Sequence, residues 1–206
     1  MCMSGVDSLL LKSAGSVIKG SLGEKTLQRI ENRLFEKYGI TFSQAVDDFP
    51  KLDNVLRELF GLAAVALEKT ILNNICTLQK TEKMDEEWLT IHDQSLVRAI
   101  LEALGNKDKK KIITSMINTP RLSIEILEMC KVSHDAGFKI IDELIRDGLL
   151  IESGFLTTTD GRKISKYIVI FKDLKKDIIN NKVVIRVKLC SEALAVSSLI
   201  PLIRSS

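Results

Sequence analysis

Histidine is almost missing from this sequence, with only His92 and His134, and the four cysteines Cys2, Cys76, Cys130 and Cys190 stand far apart with no Cys-x-x-Cys pair. A zinc site draws on such side chains at close spacing, so neither a metal nor any other cofactor is expected. Aromatic residues make up only 5 %, with Trp88 the lone tryptophan. That is the one bias in a composition, 45 % apolar and 28 % charged, otherwise ordinary for a globular protein. No apolar run approaches the roughly 20 residues that cross a bilayer, and the three leucines of MCMSGVDSLLLKSAG fall short of the apolar core of an export signal. A cytoplasmic protein with no membrane association is expected. Cys76 and Cys130, inside apolar helical patterns, read as small buried hydrophobes in a reducing compartment. There is also no glycine-rich phosphate loop, no nucleophile elbow, and no Cys/His or paired-carboxylate arrangement, so an enzyme is not expected.

What the sequence does contain is a charge asymmetry. Residues 1–104 carry 12 Lys/Arg against 15 Asp/Glu, net −3, and residues 105–206 carry 18 against 12, net +6. The C-terminal half is the candidate for a polyanionic partner.

In the N-terminal half, Leu9, Leu10, Val17, Ile18, Leu22, Leu27, Ile30, Leu34 and Phe35 recur every three or four positions, and Gly39 ends the pattern, as an amphipathic helix broken near Gly20 would. Thr41 and Gln44 have capping-box spacing. Leu52 to Phe60 predict a short helix, and LAAVALEKTILNNIC a buried one through Cys76. Nothing there suggests strand. Residues 77–92 lack clear periodicity and are the linker candidate, after which Asp93 caps a helix through Leu104. Leu22-Gly23, Leu34/Tyr38-Gly39, Phe49-Pro50, Leu59-Phe60-Gly61, Glu68 and Ile71 make this segment, about a quarter of the chain, resemble a helical domain of archaeal signal-output proteins. The resemblance implies a sensing, docking or dimerising role and brings no catalytic residues. A generic helical bundle packed on the second domain is the alternative.

From Gly105 the order becomes diagnostic. Ile112, Ile113, Met116 and Ile117 give one helix; Ser123 caps a second to Lys131, facing Ile126, Leu127 and Cys130 inward; Val132-Ser133 makes a tight turn; Ser133 caps a third, with the buried stripe Ile140, Ile141, Leu144 and Ile145 and Gly148 at its C′ position. LLIESGFLTTT then reads as strands 149–152 and 155–158 joined at Ser153-Gly154. This string, about a third of the chain, resembles archaeal winged helix-turn-helix regulators. Thr159 caps a helix starting at Asp160-Gly161-Arg162, similar to the Thr-x-x-Gly-Lys/Arg opening of the long helix that follows the wing in such proteins. Ile164, Tyr167, Phe171, Leu174 and Ile178 are spaced to form an apolar seam on a helix over 160–180. Tyr167–Phe171 alone would also suit a strand; the continuation into Leu174 and Ile178 favours helix. By the resemblance this helix pairs two subunits, so a homodimer is expected, the alternative being that it packs on its own domain. After Asn180-Asn181, VVIRVKL alternates as a strand, and Ser191 caps a final helix through Leu202.

The fold expected is thus mainly α: a helical input or docking domain over 1–76, a linker and connecting helix over 77–104, a winged helix-turn-helix with a short β-hairpin and a long helix over 105–181, and a strand-helix tail over 182–206. The partner expected is double-stranded DNA, with a protein partner possible through the N-terminal domain. A recognition helix over about 134–147 would present His134, Asp135, Phe138, Lys139 and Asp142 to base edges. Arg121, Ser123, Lys131, Ser133, Arg162 and Lys163 would hold phosphates, and the run Lys107, Lys109, Lys110 and Lys111 is a weaker candidate. Ser153-Gly154 at the wing tip offers no Arg to a minor groove. The rival expectation is a winged helix used for protein association, which the carboxylates of Asp135 and Asp142 favour.

Overall fold

Glycine and a capping box set the helix boundaries of the first third of the chain. Helices α1 (Gly5–Leu11), α2 (Ala14–Leu22) and α3 (Glu24–Tyr38) are followed by α4 (Phe42–Val46), α5 (Phe49–Phe60) and α6 (Ala63–Ile75). The break falls at Gly23, at φ 82°, three residues beyond Gly20, and Gly39 closes α3 in the left-handed region. Thr41 N donates to Gln44 Oε1 at 2.9 Å and Gln44 N donates to Thr41 Oγ1 at 3.3 Å, completing the capping box. Ile18, Ile30, Leu34, Leu52 and Leu56 are buried at the centre of this bundle. The computed structural model describes residues 5–46, 48–81 and 86–204; Cys2 and residues 82–85 of the expected linker lie outside them.

The segment expected to be a linker is instead a hairpin, β1 (Cys76–Thr81) with β2 (Glu86–Ile91). Asp93 then caps α7 (Gln94–Gly105), its Oδ1 accepting from Ser95 N at 3.0 Å and Leu96 N at 2.9 Å. Next come α8 (Lys107–Ser115), β3 (Arg121–Leu122), α9 (Ser123–Cys130), α10 (His134–Arg146), β4 (Leu150–Thr157) and β5 (Lys163–Val169), with β3, β5 and β4 adjacent in that order in one antiparallel sheet. Helix, strand, two helices and a hairpin thus follow one another in this stretch. The chain closes with β6 (Phe171–Ile179), β7 (Lys182–Leu189), α11 (Ser191–Val196) and α12 (Ile200–Arg204).

A mainly α chain with one short hairpin and a long helix over 160–180 is therefore overturned: the described residues contain two antiparallel sheets, of three and four strands. In place of that helix, β5 joins the three-stranded sheet and β6 pairs with β7 along its whole length. The Tyr-Ile-Val-Ile-Phe run is rich in β-branched and aromatic residues, which suit a pleated, half-buried surface. The strand changes sheets at Ile170, whose N–H donates to Leu149 O and whose carbonyl accepts from Cys190 N. That crossover buries four consecutive residues, Ile168 to Phe171, and the bulge between Phe171 and Asp173 puts the next inward residue at Leu174, so the spacing imitates a helix. Asn180 and Asn181, both at positive φ, form the two-residue turn between β6 and β7, the geometry of a type I′ hairpin. The last helix is also broken. Its N-cap is Cys190, and the gap between α11 and α12 is held by Asp7, which accepts from Ser198 N at 2.8 Å and from the Ser197 hydroxyl.

The four-stranded sheet runs β1-β2-β7-β6. Leu78, Leu89, Val187 and Leu174 lie opposite one another across it, and opposed residues share a face, so this face joins the common core with α6 and α7. The other face carries Arg186, paired with Asp177 at 2.6 Å, and Lys175, whose ammonium sits 4.4 Å from the centre of the Trp88 ring.

Candidate nucleic-acid interface

Helix α10 is positioned by its contact with α9. Gly137, Ile141 and Leu144 are buried, and Gly137 lies so close to Leu127 that a side chain there would collide with it. Ser133 occupies the N-cap position with extended backbone, but its hydroxyl makes no capping bond. At the other end Gly148, at φ 74°, meets the backbone of Gly5 and Leu9 closely enough that no Cβ would fit. Helix α1 thus docks at the α10–β4 corner, reinforced by Lys12 with Asp147 at 2.9 Å. The N-terminal half leaves the other side of α10 uncovered.

That open side presents His134, Asp135, Phe138, Lys139 and Asp142, all exposed. The rings of His134 and Phe138 meet edge to face, 6.2 Å between centroids at 87°. Lys139, Asp142 and Arg146 line one shallow groove with Glu143, which pairs with Lys109 at 2.9 Å.

A second groove runs between α8 and α9, walled by Lys107, Lys110, Lys111 and Lys131 with Met129 and Cys130. The lysine run gains weight here, because the fold brings it to Lys131. Lys131 is the residue that ends α9 in the left-handed conformation, φ 53°, at the corner leading to α10. Among the described residues Lys107, Lys110, Lys131 and Lys139 have no carboxylate partner, while Lys111 pairs with Asp108 at 3.4 Å.

Two expected phosphate ligands have local employment. The Arg121 Nε donates to Ser115 O at 3.0 Å, tying β3 to α8. Ser123 is the first residue of α9 rather than its cap: Leu122 holds the N-cap position and its N–H donates to Glu125 Oε2 at 2.9 Å.

The wing differs most from expectation. Ser153-Gly154 is a bulge within β4, Gly154 at φ 82°, and not the hairpin turn. The tip is Thr158–Arg162, closed by Thr158 N to Arg162 O at 2.8 Å and Gly161 N to Thr158 O at 2.9 Å, where a capped helix start was expected. The Thr158 hydroxyl and then the Arg162 guanidinium, whose Nε lies 2.6 Å from Asp160 Oδ2, hold the Asp160 carboxyl below its ordinary value. The Arg162 side chain remains 83 % exposed, so the tip does carry an Arg. Lys163 stacks over Phe155, 4.3 Å from its ring centre.

The expected dimer seam is dispersed. Ile164 and Tyr167 lie on β5, Phe171 is buried in the core, Leu174 faces inward from β6, and Ile178, 73 % exposed, lies near the far end of β6. They share no face. Among the described residues no helix is long and apolar enough to cross a membrane, and no three His, Cys, Asp or Glu side chains cluster as metal ligands would. Against protein-family models, curated proteins and solved structures, the chain finds no match.

Proposed function

We propose that the protein is a transcriptional regulator that binds double-stranded DNA in a sequence-specific manner, with the first turns of α10 in the major groove. The observation that carries this is the uncovered face of α10 beside the lysines of the α8–α9 groove. Lys139 and His134 donate to guanine edges, Phe138 meets a thymine methyl, and Asp135 and Asp142 accept from cytosine amines. Lys107, Lys110, Lys111 and Lys131 hold phosphates, joined by Arg162 and Lys163 of the wing. The acidic N-terminal half serves as input or docking module. The protein works in the cytoplasm, where its buried free thiols Cys76, Cys130 and Cys190 stay reduced. A homodimer through residues 160–180 has lost its helix and is not part of the proposal.

Titrating random-sequence duplex at several salt concentrations tests this. Each phosphate neutralised contributes about −0.9 to the slope of log affinity against log salt, so the four groove lysines with Arg162 and Lys163 give roughly −5. A second reading, a module for protein association, is favoured by exposed Phe138, Phe155, Leu156 and Ile164 alongside the two carboxylates of α10. Absence of duplex binding at low salt would select it.

A further inference from the structure

Glu68, on α6, lies among the apolar side chains of Leu11, Ile18, Leu52, Leu56 and Ile71. It is only 3 % exposed, and its Oε1 has no hydrogen-bond partner. The gap beside it measures about 10 Å³, one water at most, and exposes only apolar surface. An ionised carboxylate held there can be neither hydrated nor paired, so its charge is costly. The charged groups acting on Glu68 are Asp53 and Arg57 of α5, while α1 and α2 bring only apolar side chains to the gap. Asp53 bonds to Glu68 and also takes Arg57 Nε at 2.7 Å. Two carboxyls in contact away from water are compatible only while one of them keeps a proton.

We infer that Glu68 and Asp53 form a proton-operated latch: with a proton between them α5 stays closed on α6, and its loss lets α5 separate from α6. The architecture permits that movement. Helix α5 packs mainly against α3, α4 and α6. Its joint to α6 is Gly61-Leu62, with Gly61 at φ 57° and nothing near its missing Cβ, and Leu62 fully exposed. Glu58 ties α5 to α3 through Arg33 and Lys37, so α5 can leave α6 while keeping α3. Asp53, with 27 % of its side chain exposed, gives the proton a way to water. Burial, and then the hydrogen bond and charge of Asp53, push the Glu68 carboxyl from 4.5 up to about 7. Opening returns it to its ordinary value, so the closed form holds the proton more tightly. The open fraction therefore rises about tenfold per pH unit between the two values and levels off above the higher one. The inference is independent of DNA binding.

Hydrogen–deuterium exchange of the full chain between pH 5 and 8, expressed as protection relative to the unstructured rate at each pH, tests the latch. Protection of the α5 amides should fall about tenfold per pH unit up to about pH 7 and then level off, leaving α5 exchanging ahead of α7 and α10. In Glu68→Gln, which carries no charge and can still donate to Asp53, the α5 protection should stay flat. Asp53→Asn removes the charge beside Glu68, so levelling off should come at lower pH; this variant decides the matter should the first not fold. The same fall in Glu68→Gln, or an unmoved plateau in Asp53→Asn, overturns the inference. So does α5 that exchanges only together with α7 and α10, because Glu68 then reports unfolding of the whole chain.

Discussion

Gly137→Ala probes the contact that aims α10. Ordinarily Ala for Gly inside a helix stabilises by about 1 kcal/mol. At Gly137, however, a built methyl group would overlap Cδ2 of Leu127 and stand 3.1 Å from its Cγ. Leu127 is itself buried between α9 and the core, so it has little room to turn away, and overpacking of that kind costs about 1–3 kcal/mol. Set against the helix gain, the net effect is between no change and a loss of about 2 kcal/mol. Leu127→Ala alone costs about 2–5 kcal/mol through the cavity it leaves. With that cavity present the Gly137 methyl has space, and the same Gly137→Ala change becomes stabilising by about 1 kcal/mol. The cycle therefore couples the two positions by about 1–3 kcal/mol, within the range found for residues in contact. Urea unfolding of the four proteins measures it. Gly20 in α2, exposed and with nothing near its missing Cβ, is the control, where Ala gains about 0.5–1 kcal/mol. If Gly137→Ala stabilised the otherwise unaltered protein as Gly20→Ala does, α9 and α10 would not cross where the structure places them.

Glu68, raised from 4.5 to about 7 mainly by burial, binds its proton more tightly folded than unfolded. Its contribution is fully present below pH 4.5 and is lost as pH rises through about 7, roughly 3 kcal/mol at about 1.4 kcal/mol per pH unit; the slope of stability against pH over this window should flatten in Glu68→Gln, and identical slopes would refute the assignment. Asp93→Ala removes two capping bonds from α7 and the 2.6 Å bond from Ser13 Oγ, for a loss of about 1–2 kcal/mol in thermal unfolding, whereas Asp93→Asn should lose less. Replacing Lys110 and Lys131 together with Ala should make the salt slope of duplex binding shallower by about 1.8 without moving the unfolding midpoint.

The helices were legible where one rule acted alone: Gly39 and Gly148 end theirs in the left-handed region, Asp93 caps α7, and Ser133 opens α10. Misreading began where two periods overlapped. Between Lys163 and Ile179 a sheet change at Ile170 and a bulge beyond Phe171 turned two alternating strands into a three-and-four spacing. The signal against helix was Asn180-Asn181, a two-residue connection that fits a hairpin and demands a strand before it as well as after it. The β1–β2 hairpin was masked because its outer face is polar, although Leu89 and Ile91 alternate about Thr90. Ser153-Gly154 looked like a turn because Gly relieves the backbone equally in a bulge. The face of α10 could be read from the stripe it opposes. The lysine groove could not, because only the packing of α8 against α9 brings Lys107–Lys111 to Lys131.

Duplex binding by Lys139→Glu with Arg162→Glu, measured beside the unaltered protein at one low salt concentration and accompanied by thermal unfolding, bears most directly on whether the open face of α10 and the wing tip meet DNA. Both side chains are exposed, so the unfolding midpoint should stay within the small range of surface changes, about 0.5 kcal/mol in stability, while binding disappears. Undiminished affinity in the double variant would contradict that placement.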